Sequence, residues 1–470
     1  MSKHNENLLL QSNFAIDLYT RLATLPIIDY HSHLSVERLA SNTNFKNLTD
    51  IWIRGDHYKW RAMRLNGMPE SVCSGTASDE DKYKAWASTA PLTLRNPLFH
   101  WNCLELRLNF SIDRELSPTT AQGIWEEANA LLRTEDFRPM ALLKRARVKV
   151  LCTTDDPADD LRHHIALRLN QTTETHVYPT FRPDAACNLQ GGTAFRMWIE
   201  RLAAVANSEI KNLTTFLTAL RSRHDEFHRL GCRVSDHGLE SIDAQGCSES
   251  AAEFLFASLL KGGELDQEQM EQWRSFLMQR IGEWNHERGW VMMLHLGAQR
   301  NNNNRIYSRV GLDNGCDSIG DFSHGRGLNR FLNSLDKAGK LPKVILFNSN
   351  PRDNLLFATI AGNFFEDGVP GKVQYGPAWW FLDTSNGIKD QFDALSAVCL
   401  AHRFVGMVTD SRSFLSFSRH DYFRRLICNA YASDALAGLI PQDIDRLVTS
   451  LEGIFYQNAW DYFDWECKTC

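Results

Sequence analysis

The chain has 470 residues, of which 43% are hydrophobic and 23% charged, a balance typical of a soluble protein with a large core. Its net charge of -6, with no long basic run, argues against nucleic acid as the main partner. No apolar run approaches the roughly 18 residues of a membrane span, no secretory core opens the chain, and the eleven cysteines lack disulfide-like spacing, so we expect a cytoplasmic protein without membrane contact.

The first predicted elements are a helix over residues 14–22 and, after Pro26, a strand that runs into two histidines. Side chains two residues apart on a strand point to the same face. His31 and His33 would therefore present two imidazoles side by side, which suits a divalent ion such as zinc. A single His-x-His motif also occurs on surfaces and in satisfied cores, so the motif alone leaves both interpretations open.

A recurring unit dominates the rest of the chain. Residues 34–146 are predicted to form a mostly helical insertion, and after it short apolar runs that end in polar residues alternate with helical periodicity. We therefore divide the chain into residues 1–33, with the N-terminal helix and strand 1, the insertion 34–146, and the remainder 147–470. The later predicted strands are 148–152, 177–181, 232–235, 291–294, 344–347, 373–376 and 404–408.

Strands that alternate with helices predict an α/β fold with a parallel sheet, and eight of them predict a (β/α)8 TIM-type barrel. Polar residues clustered at the carboxyl ends of strands are where such barrels carry their chemistry. An open, doubly wound sheet is the alternative. It would concentrate functional residues at one switch-point crevice, whereas here they follow strands along the whole chain.

The carboxylate that would complete a metal site is Asp410, which follows the eighth predicted strand. In a closed barrel this strand lies beside strand 1, so Asp410 could face His31 and His33. Two imidazoles and one carboxylate form a three-ligand site with open positions for substrate. The alternative for Asp410 is a helix N-cap.

Further candidates lie near the other strand ends and in the insertion. Arg412 is a permanent cation that could favour an ionised tyrosine, and Tyr58 lies in a polar and aromatic cluster, although a satisfied buried tyrosine is the simpler interpretation. His295 ends the fifth strand and is either an extra ligand or an acid/base group. Arg182 and Arg300 follow the third and fifth strands. Two arginines directed at one pocket predict an anionic small substrate, unless they are surface ion-pair residues.

These motifs resemble the uronate isomerase (glucuronate isomerase) family of the amidohydrolase superfamily. The similarity covers nearly the whole chain in the family order. It includes Asp29-Tyr-His-Ser-His-Leu34 and Thr409-Asp-Ser-Arg-Ser-Phe-Leu-Ser416, together with residues 55–64, 96–101, 153–157, 181–184, 235–239 and 295–303. The resemblance implies reversible isomerisation of D-glucuronate to D-fructuronate and of D-galacturonate to D-tagaturonate. Proton transfer between C2 and C1 through a cis-enediol is the expected route, and a hydride shift is the alternative.

The resemblance also implies roles for individual residues. His31, His33 and Asp410 would hold one divalent metal, with zinc the expected ion. Tyr58, as a phenolate beside Arg412, would take the C2 proton.

Ring opening and hydroxyl protons would fall to Asp410 or His295. Arg182 and Arg300 would bind the carboxylate and hydroxyl groups of a hexuronate, with His57 also contacting the substrate. Trp379, rather than its neighbour Trp380, would line the sugar pocket. We also expect a homo-oligomer.

Two other functions compete with the isomerase. A mononuclear metal-dependent hydrolase could use the same barrel, but a binuclear one needs a bridging lysine or carboxylate on strand four, where only Asp236 is available. A non-catalytic sugar-acid binder would leave Tyr58 and Asp410 without a task.

Overall fold

Parallel strands connected by helices form the centre of the computed structural model, which describes residues 7–170, 174–187, 192–242 and 244–465. The strands are β1 Ile27–Asp29, β2 Val148–Cys152, β3 His176–Tyr178, β4 Val234–Leu239, β5 Val291–Leu296, β6 Ala298–Gln299, β7 Ser318–Ile319, β8 Lys343–Asn348 and β9 Val373–Tyr375.

The strands pair in two parallel sheets that are linked by isolated bridges. One sheet has the order β1-β2-β3 and the other β4-β5-β8-β9, while β6 and β7 form a small antiparallel hairpin. Phe181 bridges Asp155 on one side and Ser235 on the other, which joins the two sheets. All six residues of β5 are buried, as expected for a strand that is covered on both faces. The predicted α/β class with parallel strands is confirmed.

The eighth predicted strand, at residues 404–408, is wrong: this stretch forms no strand ladder. Gly406 adopts a φ of 77°, a left-handed conformation that interrupts a regular strand. A Cβ at Gly406 would also collide with the carbonyl oxygen of Ile454, so another part of the chain lies against the backbone there. The predicted strand at 177–181 is also shorter, since β3 ends at Tyr178.

Every regular element between β1 and β2 is helical. The α-helices of this segment are Val36–Ser41, Leu48–Trp52, His57–Leu65, Glu70–Cys73, Asp79–Thr89, Pro97–Phe110, Ala121–Leu132 and Pro139–Arg145, with 3₁₀ turns at Ala90–Thr93 and Glu135–Phe137.

The remaining helices precede β1 or lie between and after the later strands. They are Asn13–Leu22, Arg162–Leu169, Asp184–Cys187, Gly192–Ala206, Leu213–Arg229, Glu249–Leu260, Gln267–Arg288, Asn304–Val310, Gly325–Lys337, Asn354–Ala361, Ser385–Val398, Ser418–Leu436, Ile444–Glu452 and Asn458–Phe463. Short 3₁₀ turns occupy Pro351–Asp353, Trp380–Leu382 and Ala401–Arg403, and one π-helical turn spans Gly453–Gln457.

Within the described ranges, no helix combines the length and apolarity that crossing a bilayer requires.

Candidate active site

A cavity of about 310 Å³ lies where the carboxyl ends of several strands meet the helical segment 36–145. Every residue that we predicted for the site lines this cavity: His31, His33, His57, Tyr58, Arg182, His295, Arg300, Trp379, Asp410 and Arg412. These residues come from distant parts of the chain. The parallel strands bring together those at or just after their carboxyl ends, because those ends point the same way, whereas His57 and Tyr58 lie on the helix His57–Leu65.

The two histidines and Asp410 are in direct contact. Asp410 Oδ1 lies 3.1 Å from His31 Nε2 and 3.0 Å from His33 Nε2. Backbone bonds hold the three residues in register, since the Asp410 N–H donates to the His31 carbonyl and the His33 N–H donates to the Ser411 carbonyl. Asp410 has a φ of 42°, a left-handed conformation that a non-glycine residue seldom adopts and that often marks functional sites.

A second carboxylate, Asp236 on β4, lies fully buried behind the first group. It accepts from His295 Nδ1 at 2.7 Å and from Arg182 Nη1 at 2.8 Å. His31 Nδ1 lies 3.8 Å from Asp236 Oδ2, the oxygen that also accepts from Arg182. Because Nδ1 of His295 is engaged, the ring presents Nε2, a buried atom with no hydrogen-bond partner among the described residues.

Burial and charge pull the pKa values of these groups apart. Burial lowers the pKa of His33 to about 4 and also lowers that of His295. Burial acts the same way on His31, but Asp236 and Asp410 reverse the effect and raise its pKa. Burial would raise the pKa of both carboxyls. Arg182 and His31 hold the pKa of Asp236 well below its usual range, and His31 and His33 do the same for Asp410. Both acids are therefore carboxylates at neutral pH.

Tyr58 reaches the cavity from the first turn of the helix His57–Leu65. The side chain of Asp56 caps this helix by accepting from the Tyr58 and Lys59 backbone N–H groups at 3.0 Å. The Tyr58 ring stacks on His57 at a centroid distance of 4.6 Å and meets the Trp101 ring edge-on at 5.7 Å. Its place is thus set by the helix start and by aromatic packing.

The arginines of the cavity differ in how far their charge is already compensated. Arg182 donates to Asp184 and Asp236, each at 2.8 Å. Arg412 donates to Asp313 at 2.9 Å and lies 3.2 Å from His57 Nδ1. Arg300 is exposed, and its guanidinium carbon lies 5.0 Å from the centroid of the Trp380 ring.

Sequence reasoning missed three contributors. Trp380 lines the cavity together with Trp379, whose Nε1 donates to Asp410 Oδ2 at 2.8 Å. Asp236 is predicted from the sequence only as a possible ligand of a second metal, although it directly follows the predicted strand 232–235. Arg419 also lines the cavity, and its only signal is its position seven residues after Arg412, beyond the matched stretch 409–416.

Two overlapping sets of side chains could hold a divalent ion. The ligand atoms of His31, His33 and Asp410 lie within 4.8 Å of one another, and so do those of His31, Asp236 and His295. The first set fits a metal better because Asp236 already accepts from Arg182 and His295. Two imidazoles, one carboxylate and an adjoining cavity suit a mononuclear centre with open positions.

The geometry is that of an enzyme site in an α/β protein, in which arginines line one cavity beside three side chains that could hold a metal. The comparisons agree. The glucuronate isomerase family model matches residues 1–463. Uronate isomerase of Cellvibrio japonicus (strain Ueda107) is 44% identical over 465 residues, covering 98% of this chain and 99% of that protein. The uronate isomerase of Opitutus terrae is 45% identical over 460 residues, with 98% and 97% covered.

Solved structures agree with the sequence comparisons. The crystal structure of uronate isomerase from Thermotoga maritima superposes with a TM-score of 0.91 at 32% identity, covering 97% of this chain and 99% of that one. A metal-dependent hydrolase structure from Lactobacillus casei shares only the fold, with a TM-score of 0.55 at 12% identity. The chain belongs to the glucuronate isomerase family.

Proposed function

We propose that this protein interconverts D-glucuronate with D-fructuronate and D-galacturonate with D-tagaturonate. The observation that carries the proposal is one cavity that combines a tyrosine, two histidines with a carboxylate, and arginines, in a chain that matches a uronate isomerase over 98% of its length. An aldose–ketose isomerase must remove a proton from C2, stabilise a cis-enediol and return a proton to C1. The hydrolase alternative has no comparable support, since the hydrolase structure from Lactobacillus casei shares only the fold.

The architecture that we propose for this activity is a (β/α)8 TIM-type barrel with the helical segment 34–146 inserted after strand 1. Two observations support closure between the last strand position and β1. The Tyr30 hydroxyl donates to the Gly406 carbonyl at 3.2 Å, and the Asp410 N–H donates to the His31 carbonyl at 3.1 Å. In this proposed barrel, the segment around 404–410 would take the place of strand eight without forming its ladder.

Arg300 is the better of the two predicted arginines for the substrate carboxylate. The charge of Arg182 is already shared by Asp184 and Asp236, so binding another carboxylate would require one of those contacts to weaken. No acidic partner within 4.0 Å of Arg300 is found in the described part of the chain, and its guanidinium can approach a ligand while it remains stacked on Trp380. Arg182 then orients Asp236, and its positive charge acts on the site without contacting the substrate carboxylate.

His31, His33 and Asp410 would hold one divalent ion, and zinc suits this donor set. When bound, the ion would order the substrate hydroxyls and lower the pKa of a group that it contacts. The metal content of the purified protein tests this assignment without an activity assay. One equivalent in the wild type and its loss in Asp410→Asn would support it, and unchanged content in that variant would contradict it.

The protein's own groups can carry the proton transfer. Tyr58, as a phenolate, would take the C2 proton and deliver a proton to C1, so that the transfer stays on one face of the enediol. Asp410 or the free Nε2 of His295 would move the hydroxyl protons that ring opening requires. Arg412 would stabilise the enediol oxygens, while its bond to His57 keeps both side chains at the cavity wall.

Incubation with D-glucuronate in D₂O, followed by NMR, tests the function. We expect fructuronate with solvent deuterium at C1 and exchange at C2 of recovered substrate. Tyr58→Phe, which keeps the ring and its packing, should lose both conversion and exchange. Conversion without any deuterium incorporation would contradict proton transfer and support a hydride shift. No conversion of glucuronate or galacturonate would refute the isomerase. The expected homo-oligomer and the cytoplasmic setting stay predictions.

A further inference from the structure

Arg419 is a buried cation that none of the roles above uses. It is 2% exposed and belongs to the first turn of the helix Ser418–Leu436. A positive charge at a helix N-terminus is disfavoured by the helix dipole, and a buried charge needs compensation. Only one guanidinium bond to the backbone is seen, from Nη1 to the Thr409 carbonyl at 3.1 Å, and Nε has no hydrogen-bond partner among the described residues. Hydrogen bonds to the backbone therefore do not compensate the buried charge of Arg419.

Contacts with aromatic rings explain more of the position of the Arg419 guanidinium. The guanidinium carbon of Arg419 lies 3.8 Å from the centroid of the Trp101 ring and 5.4 Å from that of Tyr58. Both distances fall within the roughly 6 Å over which a cation is attracted to an aromatic face. Asp383, buried nearby, lies 3.6 Å from Nη1. The cation is thus held against the ring that the proposed chemistry uses.

The charges around Tyr58 show why this contact matters. Burial raises the pKa of Tyr58 well above its usual value, and Asp410, Asp383 and Asp56 push it the same way. Arg419 is the group that opposes them. We expected Arg412 to fill this place, but its guanidinium contacts His57 and Asp313 instead.

We propose that Arg419 is the positioning residue for Tyr58: its guanidinium, set by Trp101 and Asp383, holds the phenol ring and favours its ionised form. The inference rests on the proposed function only for its catalytic consequence, since the contact itself is independent of the reaction. Without Arg419, the phenolate would lie in a buried site that faces carboxylates, so the base would be available less often at any given pH.

The test replaces Tyr58 by 3,5-difluorotyrosine, whose phenol is more acidic and whose ionisation can be followed by absorbance at a single position. In folded protein, Arg419→Met should raise the ionisation midpoint by about one to three pH units, the usual effect of removing an opposite charge at this distance. Asp383→Asn, which is nearly isosteric, should lower the midpoint because Asp383 opposes ionisation. If the methionine variant fails to fold, Arg419→Lys takes its place: it keeps the charge but loses the planar contact with the Trp101 ring, and it should also raise the midpoint, by less.

Arg424→Met is the matched control, because Arg424 is equally buried on the same helix but bonds to backbone carbonyls away from the cavity. In Arg424→Met, the ionisation midpoint of the difluorotyrosine at position 58 should equal that of the protein with Arg424. With natural Tyr58, Arg419→Met should lower kcat about 10- to 1000-fold near neutral pH, and difluorotyrosine should restore part of it. A midpoint that does not respond to either Arg419→Met or Asp383→Asn, or an activity loss without rescue, would overturn the proposal. Shifted midpoints in a protein that converts no uronate would refute the function and leave the contact intact.

Discussion

Replacing Arg300 by methionine should weaken recognition of the substrate carboxylate without dismantling the site. Arg300 is exposed at the cavity, stacks on Trp380 and has no acidic partner in the described residues. Its loss therefore leaves no buried carboxylate unpaired. Arg182 differs in this respect, because its removal would strip Asp184 and Asp236 of their shared cation.

The size of the effect follows from one charge-assisted contact. A hydrogen bond to a charged group contributes about 1.5–3 kcal/mol, and about 1.4 kcal/mol corresponds to a tenfold change in binding. Arg300→Met should therefore lower kcat/KM for D-glucuronate about 10- to 100-fold, mostly through KM. Because water reaches Arg300, the lower end of this range is the better expectation.

Steady-state kinetics with D-glucuronate and D-glucuronamide provide the assay. The amide has nearly the same shape as the acid but lacks its charge, so wild-type protein should prefer the acid and Arg300→Met should lose most of that preference. Arg305→Met, at an exposed arginine outside the cavity lining, should behave as wild type. An equal loss on acid and amide would show that Arg300 does not bind the carboxylate.

Three further changes probe catalysis, pH response and stability. Arg412→Met should abolish turnover while the melting temperature stays near that of the wild type, and near-normal activity would remove Arg412 from the mechanism. Burial raises the pKa of Asp383 to about 7. Between about pH 4 and about pH 7 the unfolded chain loses the proton of Asp383 while the folded protein keeps it, so the free energy of unfolding falls as the pH rises through this range. Asp383→Asn should therefore gain up to about 4 kcal/mol of unfolding free energy relative to wild type over this range, and a flat difference in urea titrations would contradict the shift. Lys59→Met should cost about 3–5 kcal/mol in urea unfolding, because Lys59 is buried and lies 2.6 Å from Asp56 and 3.7 Å from Glu105; a smaller loss would show that these acids find other partners.

The part of the site that sequence could predict lies at strand ends. His31, His33 and His295 follow short apolar runs, and parallel strands necessarily bring their carboxyl ends to one edge. Proximity therefore follows from topology without any knowledge of contacts. Tyr58 came instead from the family resemblance, because a tyrosine in a helical segment has no such rule to place it.

Tertiary pairing explains what sequence could not show. Arg182 and Arg300 look alike in the sequence. In the structure Arg182 forms ion pairs with two carboxylates, whereas no carboxylate among the described residues lies within 4.0 Å of Arg300. Arg419 lies on a helix after the last strand position, outside any strand-end pattern. The stretch around Gly406 has strand-like composition, but Gly406 has a positive φ and lies against the Ile454 carbonyl, and neither feature can be read from the sequence.

The surroundings of Asp236 bear on why this edge of the sheet would support isomerisation. A carboxylate on β4 could bridge to a second metal, but here its oxygens accept from Arg182 and His295 and lie near His31. Binding a second cation would place it close to the Arg182 guanidinium, which opposes it by charge. The contacts thus favour His31, His33 and Asp410 over the second set as the residues that would hold a metal. They also leave Nε2 of His295 free for proton transfer to a sugar hydroxyl, which is a requirement of ring opening.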